Sequence, residues 1–453
     1  RPTMHTELFG TDGVRGRPGT PPLDERTLAR LGTAIARTLG GDDPPIRVCI
    51  GRDTRESGPW IATHLVRGLI GAGAEVTDAG VLSTPAVAHV TREGGFHAGI
   101  VISASHNPFQ DNGVKVFTRS GEKADDAVEA RLAAFTVDDA GSMPPPLATP
   151  PGETVSLVDG YLTHTRRLFD GVTVPADFRL IIDCANGATS QIAPQLCRDV
   201  GFDPIVMHDR PDGRNINFEC GSTHPEGLAR AAVEQGCRLG AAFDGDGDRV
   251  VFVDHRGAVI DGDAVLLIAA RRLAAAGRLR HRGVVATVMS NIGLEHALRA
   301  DDIEMYRCAV GDRAVWSEMA TRGLALGGEQ SGHIIVADHL PTGDGLATAL
   351  LVLRAVIETG RELAELAADL VSSPQVLLNV QVRERIPLAD VPEVSRLVAA
   401  AERQLAGAGR VLVRYSGTEP LLRVMIEGPD QATIQRLAEG IAGQVHADLG
   451  VRP

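Results

Sequence analysis

The sequence predicts an α/β protein in which three similar α/β domains with mostly parallel mixed sheets are followed by a smaller C-terminal α+β domain. Two observations predict this fold class. Short β-branched runs alternate with Ala/Leu-rich amphipathic stretches along most of the chain, which is typical of βα units. After Ser373 the order changes to strand, helix, two strands and a final helix, which favours a separate α+β domain.

The predicted elements follow from these two patterns. A helix is expected at Val391–Gln404 in the C-terminal part. The clearest predicted strands are Ile46–Ile50, Ala98–Ile102, Leu180–Ile182, Leu239–Phe243 and Val284–Val288.

Length and charge limit the classes of function. The chain has 453 residues, of which 43% are hydrophobic, enough for three or four domains of about 100–150 residues. Its net charge of -13 repels phosphate backbones and anionic lipid. The longest apolar stretch, Ala264 to Gly277, is interrupted by Arg271 and Arg272, so it is too short for a membrane span. We expect no nucleic-acid partner and no membrane partner.

The six cysteines predict a reducing compartment. They form no CxxC pair and show no spacing with histidine that would hold zinc, and the N-terminus carries no long apolar leader. We therefore expect reduced thiols in a cytoplasmic protein. The cysteines are Cys49, Cys184, Cys197, Cys220, Cys237 and Cys308.

The strongest compositional break is the proline-rich segment Asp138 to Gly152. Clustered prolines exclude both a helix and a central strand, so the first domain boundary is placed there. The predicted domains are residues 1–150, 151–253, 254–370 and 371–453.

A polar loop with the sequence SASHNP follows the predicted strand Ala98–Ile102. Such a turn is rigid and exposes the hydroxyl of Ser105. Taken alone, a Ser-His pair is more often a turn or a helix cap than a nucleophile. The Asn-Gly that follows and Lys115, one of only two lysines in the chain, favour a functional loop.

The sequence DGDGDR follows the predicted strand Leu239–Phe243. Three carboxylates at alternate positions of a glycine-rich loop can converge on one hard cation. An EF-hand is excluded, because its sixth and twelfth positions are Arg249 and His255 here. Mg²⁺ fits better, since it is usually held by few carboxylates together with phosphate oxygens or water. The alternative is a solvated acidic turn.

Three further motifs are ambiguous when taken alone. GGEQSGH presents Glu329 and Ser331 to one side, which suits sugar hydroxyls but also a plain polar turn. RYSGTEPLLR combines Arg414 and Arg423 with a turn of small residues, which favours an anion site over a salt-bridged β-turn. FGTDGVRG offers Arg15 to a phosphate or transition state, or is a structural loop.

Together and in this order, FGTDGVRG, SASHNP, DGDGDR, GGEQSGH and RYSGTEP resemble the alpha-D-phosphohexomutase superfamily. The resemblance runs from about Glu7 to Glu427. TDGVRG, GEQSGH, VMSNIGLE and VGDR look most like its bacterial branch acting on glucosamine phosphates. Members have four domains around a central active-site cleft, as the predicted boundaries would allow. Domains one to four would carry the phosphoserine, metal-binding, sugar-binding and phosphate-binding loops.

The resemblance implies roles for individual residues. Ser105 would carry the phosphoryl group and, with Asp244, Asp246 and Asp248, ligate Mg²⁺. The positions implied in proton transfer or charge stabilisation are Lys115 and Arg15. Among cationic side chains, Lys can be tuned toward neutrality and Arg cannot. The further positions are His106 supporting the serine loop, Arg249 beside it, Glu329 and Ser331 at the sugar, and Arg414, Ser416, Gly417, Thr418 and Arg423 at the phosphate that is not transferred.

The implied reaction interconverts glucosamine 6-phosphate and glucosamine 1-phosphate through a phosphoserine and a 1,6-bisphosphate, with a hexose 1,6-bisphosphate as activator. The product would feed UDP-N-acetylglucosamine and peptidoglycan precursors. A small-molecule sugar phosphate is the expected partner, and a homodimer is left open. The alternatives are phosphoglucomutase or phosphomannomutase activity, a metal-dependent phosphatase, and a sugar-phosphate-binding regulator.

One hypothesis concerns sugar choice. Related enzymes acting on glucose and mannose phosphates tend to carry Met where this chain has Gln330 and His where it has Asp312. An amide and a carboxylate near the 2-position could discriminate an amine from a hydroxyl. Tyr415, inside the phosphate motif, has no predicted role.

Overall fold

The structure is a computed structural model that describes residues 8–10, 12–41, 44–138, 156–416 and 421–451. The chain forms two compact units. The larger unit contains the chain up to Thr287 together with Met305–Ala368, and the smaller unit contains Val288–Glu304 together with the chain from Asp369. The proline-rich segment predicted as the first boundary lies almost wholly outside the described residues. Within the described ranges, no helix is both long and apolar enough to cross a membrane.

The first sheet of the larger unit has the strand order β1-β5-β4-β2-β3. Asp24 caps the first helix by accepting hydrogen bonds from the backbone N–H groups of Arg26 and Thr27. The strands are β1 (Val14–Gly16), β2 (Ile46–Arg52), β3 (Ala74–Val81), β4 (Ala98–Ile102) and β5 (Asn112–Thr118), and the helices are α1 (Glu25–Leu39), α2 (Gly58–Gly71), α3 (Thr84–Glu93) and α4 (Asp126–Asp138).

The second sheet has the order β10-β9-β8-β6-β7. Its strands are β6 (Leu180–Asp183), β7 (Ile205–Met207), β8 (Leu239–Phe243), β9 (Val250–Asp254) and β10 (Val259–Ile260), and the nearby helices are α5 (Val158–Arg166), α6 (Thr189–Asp199) and α7 (Glu226–Glu234).

The third sheet has the order β12-β11-β13-β14. Its strands are β11 (Gly283–Thr287), β12 (Glu304–Cys308), β13 (Leu326–Gly328) and β14 (Ile334–Val336). The helices of this part of the chain are α8 (Gly262–Ala275), α9 (Ile292–Ala300), α10 (Asp312–Arg322), α11 (Gly345–Thr359) and α12 (Leu363–Ala367), of which α9 belongs to the smaller unit.

The same arrangement recurs in all three sheets. A buried strand pairs in parallel on one side and with its own antiparallel return strand on the other: β4 with β2 and β5, β8 with β6 and β9, and β13 with β11 and β14. The loop between each strand and its return strand carries SASHNP, DGDGDR or EQSGH. The predicted mixed α/β class is therefore confirmed, and all five predicted strands are present.

The smaller unit contains an antiparallel three-stranded sheet in the order β15-β17-β16. Its strands are β15 (Gln375–Gln381), β16 (Arg410–Tyr415) and β17 (Leu421–Glu427), and its helices are α13 (Pro392–Leu405), α14 (Gln431–Leu449) and α9. The core between sheet and helices includes Val394, Leu422 and Ile441. This confirms the predicted smaller α+β domain.

The contact between α1 and α2 depends on glycine. A Cβ at Gly68 would lie 1.8 Å from the carbonyl oxygen of Ala29, and one at Gly32 would lie 2.2 Å from that of Leu65. Both neighbours are backbone atoms, which cannot rotate away. The two helices therefore approach one another at a distance that no larger residue permits.

We predict that Gly68→Ala lowers stability by about 1–3 kcal/mol, because overpacking forces the two helix backbones apart. Gly440→Ala is the matched control, since Gly440 is also inside a helix but has open space around it. That change should stabilise by up to about 1 kcal/mol. The measurement is urea unfolding followed by circular dichroism, with hydrogen exchange in α1 and α2. Equal stability of the two variants would contradict the close-packing argument.

Candidate active site

Ser105 stands in a strained turn just beyond β4. Its φ of 51° lies in the left-handed region that a serine rarely adopts. Its backbone N–H donates to the hydroxyl of Ser103 at 2.9 Å, and its own Oγ donates to Asp244 Oδ2 at 2.5 Å. The Nδ1 atom of His106 lies 3.5 Å from the same Oγ. The structure thus joins the serine loop of the first sheet to the acidic loop of the second.

The buried guanidinium of Arg55 holds this turn in place. Arg55 is 1% exposed, and its Nε donates to Asp53 at 2.9 Å. Its Nη2 donates to the carbonyls of Ser105 and Asn107. The side-chain amide of Asn217 donates to the same two carbonyls. The other acceptors of Arg55 are the carbonyls of Pro108 and Asp111. Sequence reasoning missed both side chains, because their function is to bind backbone carbonyls that the sequence does not show.

The three aspartates of DGDGDR form a compact acidic cluster. Asp244, Asp246 and Asp248 each place a carboxylate oxygen within 4.8 Å of the others, and all three are buried. Burial raises the pKa of Asp244 well above its usual value, and the charges of Asp248 and Asp246 raise it further. The Oδ1 atoms of Asp246 and Asp248 are buried without a hydrogen-bond partner. A divalent cation would satisfy these oxygens, so the residues present fit Mg²⁺.

Glycine lets the acidic loop approach the serine turn. A Cβ at Gly245 would lie 2.5 Å from the carbonyl oxygen of Ser105. On the far side of the loop, Thr84 donates its backbone N–H to the carbonyl of Asp246 at 2.8 Å and its hydroxyl to the carboxylate at 2.5 Å. The loop is therefore fixed from both sides by the first domain.

Lys115 lies on β5 beside the acidic cluster. Its Nζ is 2.8 Å from Asp246 Oδ2, 3.2 Å from Asp248 Oδ2 and 3.4 Å from Asp12 Oδ2. Burial alone would lower the pKa of Lys115, but the three carboxylates outweigh it and raise the pKa well above the usual value. The three carboxylates therefore favour the charged form of Lys115, and these contacts do not support a lysine tuned toward neutrality.

The second lysine of the chain belongs to the same network. Lys123 Nζ forms short ion pairs with Asp12 and Asp312. A line of alternating charges thus runs from Asp312 through Lys123, Asp12 and Lys115 to the acidic cluster. Sequence reasoning used only Lys115, although the scarcity of lysine also pointed to Lys123.

Three further side chains predicted for the site surround the Ser105 turn. Arg249 donates its backbone N–H to Asp244 at 3.1 Å, and its Nη1 lies 3.4 Å from His106 Nδ1. Burial lowers the pKa of His106, and the charges of Arg249 and Arg15 lower it further, which favours a neutral imidazole. Arg15 is paired with Asp12.

The loop after β13 joins the acidic loop through main-chain contacts. Val250 donates its N–H to the carbonyl of Gly332 at 3.1 Å. Glu329 is 7% exposed and accepts a hydrogen bond from Gly311 N–H at 3.1 Å, whereas Ser331 is exposed. All three predicted loops thus meet in the larger unit.

The hypothesis about sugar choice finds no support in these contacts. The side-chain amide of Gln330 donates to Asp261 at 3.2 Å, at the N-cap of α8. The carboxylate of Asp312 is paired with Lys123. Both groups are already occupied within the protein, so we do not assign them to the sugar amine.

The predicted phosphate motif lies in the smaller unit. Arg414 and Arg423 face each other across the β16–β17 pair. Burial lowers the pKa of Arg414, and the charge of Arg423 lowers it further. Ser416 is buried, whereas Gly417 and Thr418 lie outside the described residues.

The structure gives Tyr415 a role that the sequence did not. Its hydroxyl donates to the carbonyl of Ile386 at 2.6 Å and accepts from the N–H of the same residue at 3.1 Å. Tyr415 therefore anchors the end of β16 to the loop after β15, as a structural residue of the smaller unit.

Comparison with known proteins places this geometry in one family. The chain matches phosphoglucomutase/phosphomannomutase alpha/beta/alpha domain I over residues 6–140, domain II over 159–257, domain III over 261–373 and the C-terminal domain over 377–444.

Two full-length relatives carry the same name. The phosphoglucosamine mutase of Solibacter usitatus is 46% identical over 99% of this chain and 100% of its own. That of Desulforamulus reducens is 44% identical over 96% of this chain and 98% of its own.

Solved structures show the same fold at low identity. A phosphoglucomutase/phosphomannomutase family protein from Burkholderia thailandensis is 24% identical, with a TM-score of 0.78 over 98% of this chain and 99% of its own. The N-acetylphosphoglucosamine mutase of Aspergillus fumigatus, in complex with GlcNAc-6P and magnesium, is 18% identical, with a TM-score of 0.65 over 97% and 95%.

We predict that Asp246→Asn weakens binding of Mn²⁺ at least tenfold. Mn²⁺ takes the same oxygen ligands as Mg²⁺, and even changes beyond the direct ligands of a metal cost about 10–100-fold in affinity. Titration followed by electron paramagnetic resonance measures the affinity. Asp203→Asn is the matched control, because Asp203 is exposed and distant in sequence from the cluster. Equal affinity in wild type and both variants would mean that the acidic cluster holds no cation.

Proposed function

The chain belongs to the phosphoglucomutase/phosphomannomutase family of alpha-D-phosphohexomutases, and on this basis we propose that it is a phosphoglucosamine mutase. It interconverts glucosamine 6-phosphate and glucosamine 1-phosphate. The full-length relatives of that name support the substrate. The single observation that carries the chemistry is the contact between the Ser105 hydroxyl and the buried acidic cluster beside Lys115.

The reaction consists of two phosphoryl transfers through Ser105. The phosphorylated serine gives its phosphoryl group to the free hydroxyl of the substrate: the Ser105 Oγ–P bond breaks, a sugar O–P bond forms, and the hydroxyl proton is returned to Ser105. The product of this half is a 1,6-bisphosphate. After it reorients, the Ser105 hydroxyl takes the other phosphoryl group: the second sugar O–P bond breaks, a Ser105 Oγ–P bond forms, the serine proton passes to the sugar oxygen, and the isomer leaves. A hexose 1,6-bisphosphate therefore also serves as activator.

Asp244, Asp246 and Asp248 would hold Mg²⁺ together with the phosphate on Ser105. When bound, Mg²⁺ supplies positive charge to the phosphoryl oxygens and polarises them. The carboxylates orient and neutralise the cation, and Asp244 also fixes Ser105 Oγ. Arg55 and Asn217 keep the serine backbone in its strained turn, so the hydroxyl is held in one position.

The cations around Ser105 stabilise the charge of the transferring group. Lys115 is buried, and the neighbouring carboxylates raise its pKa and favour its protonated form, so we assign it to charge stabilisation. Arg249 and Arg15 contribute further positive charge. His106, which is favoured as neutral, supports the turn and can accept or donate a hydrogen bond at Ser105 Oγ.

The remaining predicted residues bind the parts of the substrate that do not react. Glu329 and Ser331 would contact the sugar hydroxyls. The phosphate that is not transferred would bind Arg414 and Arg423. Their like charges face each other across the strand pair, and an anion between them would reduce their repulsion. Ser416, Gly417 and Thr418 would complete this phosphate site with hydroxyl and backbone donors.

We also place the protein in the cytoplasm, because all six cysteines are free thiols and five of them are buried. Its product would enter the synthesis of UDP-N-acetylglucosamine and of peptidoglycan precursors. A homodimer is compatible with this proposal and is not required by it.

We predict that incubation with glucose 1,6-bisphosphate adds a phosphate-sized mass to wild type and none to Ser105→Ala, and that Ser105→Ala loses turnover of glucosamine 6-phosphate. The physical reason is that Ser105 Oγ is the atom that carries the group between the two sugar positions. Intact-protein mass spectrometry and a coupled assay for glucosamine 1-phosphate provide the measurements.

Ser120→Ala is the matched control, because Ser120 is exposed on the same domain; it should keep both mass gain and turnover. Equal turnover in wild type and Ser105→Ala would overturn the proposed mechanism. Preference for glucose or mannose phosphates in the same assay would move the assignment to phosphoglucomutase or phosphomannomutase. Release of inorganic phosphate faster than isomer formation would point to a phosphatase.

We predict that Arg55→Lys lowers kcat at least tenfold while the KM for glucosamine 6-phosphate changes little. A lysine has fewer donors than the guanidinium fork, so the carbonyls of Ser105 and Asn107 lose partners and the serine turn relaxes. Arg52→Lys is the matched control. Arg52 ends β2, three residues before Arg55, and its guanidinium pairs with Asp78 on β3 rather than with the serine turn. A lower melting temperature with unchanged kcat would show that Arg55 is merely structural.

A further inference from the structure

A cavity of about 420 Å³ lies in the larger unit, and none of the residues assigned to catalysis lines it. We call it the arginine pocket. Its volume falls within the range of small-molecule sites, about 300–1,000 Å³. The polar side chains that line it are Arg167, Arg272, Arg278, Arg354, His164, His339 and Asp338.

The arginine pocket is distinct from the active site because the two lie toward opposite ends of the same helices. The N-terminus of α8 supports the sugar loop, with Gly262 N–H donating to the carbonyl of Gln330 at 2.9 Å. The N-terminus of α11 supports the acidic loop, with Gly345 N–H donating to Gly247 at 3.0 Å. Arg272 and Arg354 lie about 14 Å further along these helices, at a rise of about 1.5 Å per residue.

The pocket carries an excess of positive charge in an acidic protein. Two carboxylates pair with three of its four arginines: Asp338 with Arg278, and Glu358 with both Arg272 and Arg354. Asp338 also pairs with Arg280 at 3.2 Å, so at least two positive charges are left over, enough to meet a phosphate dianion. Four guanidiniums thus line one cavity of a chain whose net charge is -13.

Two donors in the pocket have no partner among the described residues. The side chain of Arg167 is exposed and forms no hydrogen bond or ion pair there. The Nε–H of Arg272 is buried and likewise has no acceptor. A buried donor without an acceptor is unfavourable, and a phosphate oxygen is the acceptor that a guanidinium binds best, through two parallel hydrogen bonds.

The rest of the lining is apolar. Leu168, Leu273, Ala276 and Leu351 provide surface for a part of the ligand that carries no charge. We propose that the arginine pocket binds a phosphorylated small molecule, with its phosphate group on Arg167 and Arg272 and its uncharged part on the leucines. This site is separate from the substrate site and does not depend on the mutase reaction.

Calorimetric titration with inorganic pyrophosphate, in EDTA and at low salt, tests the proposal on wild type, R167E, R167E/R278E and R26E. Any pyrophosphate bound at the catalytic cations is common to all four proteins, so the difference isolates the pocket. Wild type should bind one more pyrophosphate per chain than R167E/R278E. R167E alone breaks no ion pair of the structure and should weaken this additional binding at least fivefold.

R26E is the matched control, because Arg26 is an exposed arginine outside the pocket and carries the same change of charge; it should bind like wild type. The same stoichiometry and affinity in all four proteins would overturn the proposal. An equal loss of pyrophosphate affinity in R26E and R167E would also overturn it, because it would show that only the overall electrostatic field of the protein changes. Repeating the titration with ADP tests the apolar surface: tighter binding than pyrophosphate at the same site is expected, and no ADP binding would overturn that part. Unchanged mutase turnover in R167E keeps this result apart from any failure of the proposed function.

Discussion

Three carboxylates buried within 4.8 Å of one another repel each other strongly unless cations lie beside them. At an effective dielectric constant of about 20, each pair at this distance costs about 3 kcal/mol. The chain lowers this cost with Lys115, which contacts two of the three aspartates. The network continues outward through ion pairs: Lys115 also pairs with Asp12, Asp12 pairs with Lys123, and Lys123 pairs with Asp312. Both lysines of the chain thus belong to the network that balances one acidic cluster, and in the proposed function a divalent cation would complete this balance.

The same requirement explains why the loops are anchored through the backbone. Charged side chains keep fixed distances to one another only if the loops that carry them cannot shift. The acidic loop is therefore fixed by main-chain hydrogen bonds from three directions: Thr84 of the first domain, Gly345 at the start of α11, and Val250 bonded to the third loop. Arg55 adds the equivalent constraint for the serine turn. Because each loop connects a buried strand to its own return strand, the three sheets deliver their loops as rigid units.

The sequence predicts the fold class and strands well, because periodicity and glycine-rich loops are local signals. It also predicts a site at Ser105 and the three aspartates, whose motifs are contiguous, and the structure brings these four residues together. What it does not reveal is pairing over long separations. Lys123 meets Asp312 across 189 positions, and Asn217 meets Ser105 across 112, and no local pattern encodes either contact. For the same reason the hypothesis about Gln330 and Asp312 is not supported: the sequence shows which groups are present, whereas only the structure shows that Asp261 and Lys123 already bind them.

Net charge disfavours polyanions as partners but says nothing about small anions. A duplex or a membrane interacts with the whole surface, so a charge of -13 acts on every contact. A sugar phosphate meets only the few side chains around it, and over distances beyond about 10 Å salt screens the rest of the protein. An acidic chain can therefore offer a phosphate site wherever it concentrates guanidiniums. This chain concentrates them at Arg414 and Arg423 and again in the arginine pocket, the two places where we propose that phosphate binds. The cations of this protein are almost all arginine, whose planar fork suits phosphate oxygens, and the two lysines are kept for the acidic network, where a compact charge must fit between carboxylates.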